Sequence, residues 1–147
     1  EIGTRYSFNR SEKEVKMWTR FMDMHSGGDL KEKWQYIYIE APEEEAKVIF
    51  YNRFGHNPNR VTCTCCGEDY SISSNKTLET ITAYNRNCAW DEKNKCYIEK
   101  ASAEKWRGKY TTLEKYKKTK DVLIIYKKDI KPEEKKGEVP EQGYVWK

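Results

Sequence analysis

Three closely spaced thiols form the sharpest chemical motif in the chain. Residues 63 to 67 read Cys-Thr-Cys-Cys-Gly, so Cys63 and Cys66 have the C-x-x-C-G spacing of a zinc knuckle. In a knuckle, a tight turn directs two thiolates at one ion, and the glycine relieves the backbone after the second thiolate. Structural zinc takes four ligands in a tetrahedron. The motif therefore predicts half of a zinc site.

The other half is predicted to come from Cys88 and Cys96, which flank a predicted hairpin that would bring them together. Seven residues separate these two thiols, so the chain lacks a second C-x-x-C. His56 is an alternative ligand to one of them, and Cys65 is an alternative to Cys63. In the competing interpretation the thiols are small apolar side chains of the core. We favour zinc, in a closed structural site that stabilises a small domain.

The segment before these thiols is predicted to begin with a helix. Three signals support this helix: a capping box formed by Ser11 and Glu14, apolar side chains at helical spacing, and a glycine pair at its end. The apolar side chains are Val15, Trp18, Phe21 and Met22, and the glycines are Gly27 and Gly28. His25 is predicted to lie in the last turn.

Further elements are marked along the rest of the chain. Residues 34–40 alternate tyrosine and isoleucine, which predicts a central strand covered on both sides. A helix is predicted from Pro42 to Gly55, with Ala46, Ile49, Phe50 and Phe54 buried. Two short extended segments in 61–73 should flank a tight turn at Cys66 and Gly67. Thr77 should cap a short helix, and 88–98 should form a hairpin. The helical spacing of apolar residues in 101–120 is interrupted, which predicts a break in that helix. A strand is predicted for residues 122–126, and surface coil is predicted for the tail from Lys131.

These elements predict one small α+β domain. The 147 residues have room for one domain, and the irregular alternation of helices and strands favours a mixed or antiparallel sheet with two to four helices. We place the domain at residues 1–130 and a surface tail at residues 131–147. The first ten residues lack the apolar stretch of a signal peptide, and no apolar run approaches the ~18 residues of a membrane span. We therefore expect a soluble, cytoplasmic protein with its thiols reduced and no membrane partner.

Positive charge is concentrated in the last third of the chain. Residues 101–147 carry 13 basic and 8 acidic side chains, whereas residues 1–60 are balanced. Between Lys115 and Lys136 nine lysines accompany four acids, with Tyr116 and Tyr126 interleaved. This composition suits phosphate contact with aromatic stacking, and without arginine any binding would be independent of base sequence. The alternative is a solvated surface that keeps the protein soluble. The candidate nucleic-acid-binding residues are Lys115, Lys117, Lys118, Lys120, Lys127 and Lys128.

Catalytic signatures are absent from the sequence. The chain has two histidines and no P-loop, G-x-G-x-x-G, H-E-x-x-H or G-x-S-x-G motif. Glu68 and Asp69 follow the cysteine motif and are the candidate general bases of a metal-dependent hydrolase, a less favoured alternative. We expect a protein without enzymatic activity and without a small-molecule substrate.

Two segments carry a resemblance to a known group of proteins. Residues 54–73, with C-x-C-C-G-E-D-Y, and residues 129–147, with P-E-Q-G-Y-V-W, resemble an uncharacterised family of small bacteriophage and prophage proteins. The resemblance implies a phage origin and no catalytic residues. Small phage proteins without enzyme motifs are often inhibitors of host defence systems, including CRISPR nucleases.

Two binding functions are consequently expected. The first is docking on a host protein or nucleoprotein, such as a defence nuclease, by a zinc-stabilised domain. The second is sequence-independent binding of nucleic acid through the C-terminal lysines. Tyr144 and Trp146 are candidate interface anchors in the tail, although we expect them to fold back and cover the sheet.

Overall fold

A four-stranded mixed sheet organises the fold in the computed structural model, which describes residues 17–65, 67–101 and 109–140. Its strands are β1 (Trp18–Asp23), β2 (Tyr36–Ile39), β3 (Tyr70–Asn75) and β6 (Val122–Ile125). They lie in the order β3-β1-β2-β6, with β1 antiparallel to both neighbours and β2 parallel to β6. A separate antiparallel hairpin joins β4 (Cys88–Asp91) to β5 (Cys96–Ala101).

Three α-helices accompany the strands in the described residues. They are α1 (Glu43–Phe54), α2 (Leu78–Ala83) and α3 (Leu113–Tyr116). Short 3-10 segments occur at Ser26–Gly28, Lys127–Asp129 and Pro132–Lys135. The predicted α+β domain with a mixed sheet is confirmed. Among the described residues, no helix has both the length and the apolar character needed to cross a membrane.

Both faces of the main sheet are covered by side chains. On one face, Phe21, Ile37 and Ile39 pack with Ile49 and Phe50 of α1. The opposite face buries a second cluster, formed by Trp18, Tyr38, Leu78, Ile81, Tyr116 and Val122. Burial on two sides explains why β2 consists only of isoleucine and tyrosine, as predicted for a central strand.

Several local signals lead to the predicted elements. Pro42 precedes α1, three glutamates occupy its first turn, and Gly55 ends it with a φ of 84°. The side chain of Thr77 accepts a hydrogen bond from the Thr80 N–H and caps α2. Thr112 caps α3 in the same way, at the threonine pair where a break was predicted. These signals act within one turn of chain, which is why the sequence displays them.

The predicted first helix is wrong over its described part. Trp18 and Phe21 lie three residues apart, as on a helix, but they belong to β1 and face opposite sides of the sheet. β1 pairs with β2 and β3 on its two edges, and this pairing decides its conformation. His25 consequently lies after a strand, in the left-handed region with a φ of 55°, and not in a last helical turn. The predicted cap at Ser11 lies outside the described residues.

The predicted surface coil after Lys131 also differs from the structure. Pro132–Lys135 form a 3-10 turn held against α1, where Arg53 donates two hydrogen bonds to the Glu134 carboxylate at 2.8 and 2.9 Å. The Asn52 side chain adds hydrogen bonds to the main-chain carbonyls of Glu134 and Lys136. Tyr144 and Trp146 lie outside the described residues.

Candidate functional site

The cysteine turn, residues 63–67, packs against the connection between β1 and β2. The Ser26 hydroxyl accepts a hydrogen bond from the Cys63 N–H at 3.0 Å and donates one to the Gly67 carbonyl at 3.3 Å. The Gly67 N–H donates to the Cys63 carbonyl at 3.1 Å, and Gly67 has a φ of 86°. The chain therefore turns back on itself between Cys63 and Gly67. Cys66, the first residue of the predicted turn, lies outside the described residues. The extended segment that follows it pairs with β1 rather than with residues 61–63.

Two fully buried carboxylates hold the loops around this turn. Asp23 accepts hydrogen bonds from the main-chain N–H groups of His25 and Lys31, both at 2.7 Å. Asp69 accepts from the Thr62 N–H, the Thr62 hydroxyl and the Arg60 guanidinium at 3.0 to 3.2 Å. Because these bonds occupy both oxygens of Asp69, it braces the turn and is not placed to act as a general base. Glu68, the other candidate base, is exposed.

An aromatic stack lies between the turn and the core. The ring of Tyr70 packs against His56 and Phe50, with centroids 6.2 and 5.0 Å away. His56 Nε2 lies 3.1 Å from a Glu32 carboxylate oxygen, so the structure places this alternative zinc ligand within hydrogen-bond distance of Glu32. Burial, followed by the charges of Asp23 and Glu32, raises the pKa of the Tyr70 phenol. Among the described residues, the Tyr70 hydroxyl and His56 Nδ1 are buried atoms without a hydrogen-bond partner.

Two of the predicted zinc ligands lie at opposite ends of the β4-β5 hairpin. Cys88 is opposite Ala101, whereas Cys96 is opposite Asp91 beside the turn. The offset of three residues corresponds to about 10 Å along a strand. Cys88 is buried and Cys96 is exposed. The hairpin forms as predicted, but it does not bring these two thiols together.

Zinc binding by the predicted set stays a prediction. No group of three or more histidine, cysteine or acidic side chains suited to a metal ion occurs in the part of the chain that the structure describes. Cys66, one of the four predicted ligands, lies outside that part. The Sγ atoms of Cys63 and Cys65 are 2.9 Å apart. The sulfur atom that the structure places beside Cys63 therefore belongs to Cys65, the alternative ligand.

A buried arginine at the end of α2 is a feature that the sequence analysis missed. Arg86 is 1% exposed and donates to the Thr82 hydroxyl, to the Glu79 and Thr111 carbonyls, and to the Glu99 carboxylate. The Arg86 hydrogen bond lowers the pKa of Glu99. Arginine side chains are mostly exposed, so no spacing rule would have placed this one inside. It joins α2 to β5 and to the segment before α3.

The lysine face consists of the six lysines predicted to bind nucleic acid, together with Tyr126. Lys115, Lys118, Lys120, Lys127 and Lys128 are exposed, and Lys117 is partly exposed. The ammonium groups of Lys117 and Lys128 each lie 5.9 Å from the centroid of the Tyr126 ring. A hydrogen bond with Tyr126 raises the pKa of Lys117, which keeps its charge in neutral solution. Two cations therefore lie beside one partly exposed aromatic ring, which also packs against Trp18 with a centroid distance of 5.6 Å.

The second interleaved tyrosine is not part of this face. Tyr116, the last residue of α3, is buried, and its hydroxyl lies 2.8 Å from the Tyr38 hydroxyl. The predicted stacking role of Tyr116 is wrong, because its ring completes the core cluster beneath the sheet. A cavity of about 460 Å³ opens beside Tyr126, and its lining includes Trp18, Lys76 and Lys117. Two acids, Glu40 and Glu79, also line it.

Comparison of the chain with family models, with curated proteins and with solved structures gave no match.

Proposed function

We propose that this chain is a non-enzymatic binding protein that contacts nucleic acid through the lysine face, independently of base sequence. The observation that carries the proposal is the arrangement of Lys117 and Lys128 around the ring of Tyr126. Lysines neutralise phosphates without reading bases, and an aromatic ring stacks on any base. A partly exposed ring between cations suits a single strand, whose bases are free to stack.

Charge supports this assignment of the surface. The last 47 residues have a net charge of +5, from 13 basic and 8 acidic side chains, while the rest of the chain is close to neutral. No arginine lies between Lys115 and Lys136, so the bidentate contacts that recognise guanine are missing from this segment. Binding that depends on phosphates and stacking alone is expected to be sensitive to salt.

The test is a titration of a fluorescent single-stranded oligothymidine of about 12 nucleotides, followed by anisotropy at several salt concentrations. The expected result is binding that weakens as salt rises, with a log–log slope that loses about 0.7 for each phosphate contact removed. Lys117→Ala with Lys128→Ala should lower the slope. The matched control is Lys93→Ala with Lys95→Ala, which removes the same charge from the β4-β5 turn.

The aromatic contribution is tested separately. Tyr126→Leu keeps apolar bulk and removes the stacking ring, so affinity should fall at least about fivefold while Tyr126→Phe stays near the wild-type value. Absence of binding even at low salt would overturn the proposal.

A second candidate function is docking on a protein partner, as expected for a phage-encoded inhibitor of a host defence nucleoprotein. It is favoured by two aromatic side chains with large exposed fractions, Tyr84 at 54% and Trp90 at 47%. Tyr97 packs on Trp90 with a centroid distance of 4.9 Å and presents it on the hairpin. Aromatic residues of this kind anchor protein interfaces.

A pull-down from bacterial lysate, with and without nuclease, distinguishes the two functions. A protein partner retained after nuclease treatment and lost with Trp90→Ser supports docking. Leu30→Ser is the control, because Leu30 is an exposed apolar side chain outside the hairpin. Loss of every partner on nuclease treatment would contradict docking and favour nucleic acid.

We also propose a cytoplasmic location in a bacterial host and a structural zinc ion held by Cys63 and Cys66 with one of Cys88 and Cys96. His56 takes the place of the other, because the hairpin keeps Cys88 and Cys96 at opposite ends. The support is the C-x-x-C-G spacing and the turn that forms around it. Elemental mass spectrometry of protein purified without chelator should give about one zinc per chain. Cys63→Ser or Cys66→Ser should lower both the metal content and the melting temperature, and a metal-free wild-type protein would contradict the proposal.

A further inference from the structure

The two sulfur atoms of the cysteine turn differ in accessibility but lie close together. The Sγ atoms of Cys63 and Cys65 are 2.9 Å apart. Cys65 is exposed, whereas Cys63 is partly buried. One thiol can therefore meet a molecule from solution while the second stays within reach of the first.

The backbone of the turn keeps this pair together. Ser26 bonds to the Cys63 N–H and to the Gly67 carbonyl, so both ends of the turn are tied to the β1-β2 connection. The Gly67 N–H closes the turn on the Cys63 carbonyl at 3.1 Å. Asp69, with no exposed surface, holds Thr62 just before the first cysteine. The folded backbone therefore already holds the two sulfur atoms close together, so disulfide formation requires little further loss of conformational entropy.

We propose that Cys63 and Cys65 form a dithiol that carries out thiol–disulfide exchange, with Cys65 as the attacking thiol and Cys63 as the resolving thiol. The oxidising partner is a disulfide, either of a small molecule or of an exposed site on a protein. This activity is separate from the nucleic-acid binding proposed above and uses a different surface. It requires Cys63 without bound metal, so thiol–disulfide exchange and the proposed zinc site are alternative states of the same turn.

The exchange proceeds in two balanced steps. The Cys65 thiolate attacks one sulfur of the partner disulfide, forms a mixed disulfide and releases the first partner thiolate. The Cys63 thiolate then attacks the Cys65 sulfur, which forms the Cys63–Cys65 disulfide and releases the second partner thiolate. The protons of the two cysteine thiols are taken up by the two released thiolates. The protein pair loses two electrons, and the partner disulfide gains them.

Cys96 provides an internal comparison for the proposed reaction. It is exposed like Cys65, but it stands beside the turn of the β4-β5 hairpin, opposite Asp91. Cys88 lies at the other end of this hairpin, so Cys96 has no resolving sulfur within the hairpin and is expected to stop at the mixed disulfide. The two sites should therefore give different products with the same reagent.

The experiment treats the full chain, first stripped of metal with a chelator, with oxidised glutathione and analyses the products by peptide mass spectrometry under non-reducing conditions. In the wild type, tryptic peptide 61–76 should contain a Cys63–Cys65 disulfide, two hydrogen atoms lighter than the reduced pair, with no glutathione on either of these two residues. Cys63→Ser should trap one glutathione on Cys65, whereas Cys65→Ser should react far more slowly at this peptide. Cys96 should retain its glutathione in every variant.

Cys66 lies in the same peptide and defines the decisive control. If the proposal is correct, the Cys66→Ser variant closes the Cys63–Cys65 disulfide at the wild-type rate. The proposal is overturned if closure requires Cys66, if glutathione stays on Cys65 in the wild type, or if peptide 61–76 does not react. None of these outcomes depends on the lysine face, so failure here leaves the nucleic-acid proposal unaffected.

Discussion

Replacement of the buried Arg86 by methionine should destabilise the fold by a predictable amount. Methionine retains much of the apolar stem but removes the donors to the Thr82 hydroxyl and to the Glu79 and Thr111 carbonyls. Thr82 and Glu79 keep other hydrogen bonds, so the loss is that of the three bonds themselves and not of three orphaned groups. A typical intramolecular hydrogen bond contributes about 1 kcal/mol, so three give about 3 kcal/mol in the free energy of unfolding.

The ion pair to Glu99 adds little to this figure. The Glu99 side chain is 49% exposed, so solvent screens its charge and reduces its contribution to at most about 1 kcal/mol. Glu99→Gln should accordingly cost no more than that. For a chain of this length, the loss in Arg86→Met corresponds to a decrease of roughly 6 to 12 °C in the melting temperature.

Urea unfolding followed by tryptophan fluorescence measures the effect. Lys100→Met is the matched control, because it replaces an exposed cation on the adjacent strand β5 and should change stability by less than about 0.5 kcal/mol. If Arg86→Met stays within about 1 kcal/mol of this control, the guanidinium does not join α2 to β5 in the way described.

Three further predictions concern other parts of the fold. Burial raises the pKa of Tyr38 to about 12 and also raises that of its partner Tyr116, so the folded state keeps protons that the unfolded chain loses near pH 10. Stability should fall as pH rises from about 10 towards 12, which melting curves would reveal, and a flat profile would contradict it. The hydrogen bonds from Arg53 lower the pKa of Glu134 below its ordinary value of 4.5. Their stabilisation of the fold is therefore present above that pH and is lost on acidification. Glu134→Gln should remove this part of the acid dependence, and an unchanged acid profile would refute the prediction. Gly27 has a φ of 83°, and an added Cβ would lie 3.2 Å from a neighbouring methyl group, so Gly27→Ala should cost about 1 kcal/mol or more in urea unfolding.

Elements with strong local signals were predictable from the sequence. Helix α1 begins after a proline, has three acids in its first turn and ends at a glycine with positive φ, and each signal acts within a few residues. The β4-β5 hairpin and the strand β2 were predictable for the same reason. Strand β1 was not, since its apolar spacing fits a helix and only pairing with β2 and β3 selects the extended form.

The candidate sites also combine features that were predictable from the sequence with features that were not. The tight turn at Cys63 was predictable, because its glycine and thiols are neighbours in the chain. Its attachment to Ser26 was not, because 37 residues separate the two partners. On the lysine face, the charge was visible in the composition, but burial removed Tyr116 and left Tyr126 beside two ammonium groups.

The sequence by itself determined the α+β class, most helix and strand positions, the turn at the cysteines and the basic C-terminal third. Tertiary structure alone decided the strand order, the burial of Arg86 and the separation of Cys88 from Cys96. Caps, glycine turns and alternation depend on dihedral angles and neighbours within a few residues. Strand pairing and hydrogen bonds between distant residues depend on which surfaces exclude water together, and that is settled only when the whole chain has packed.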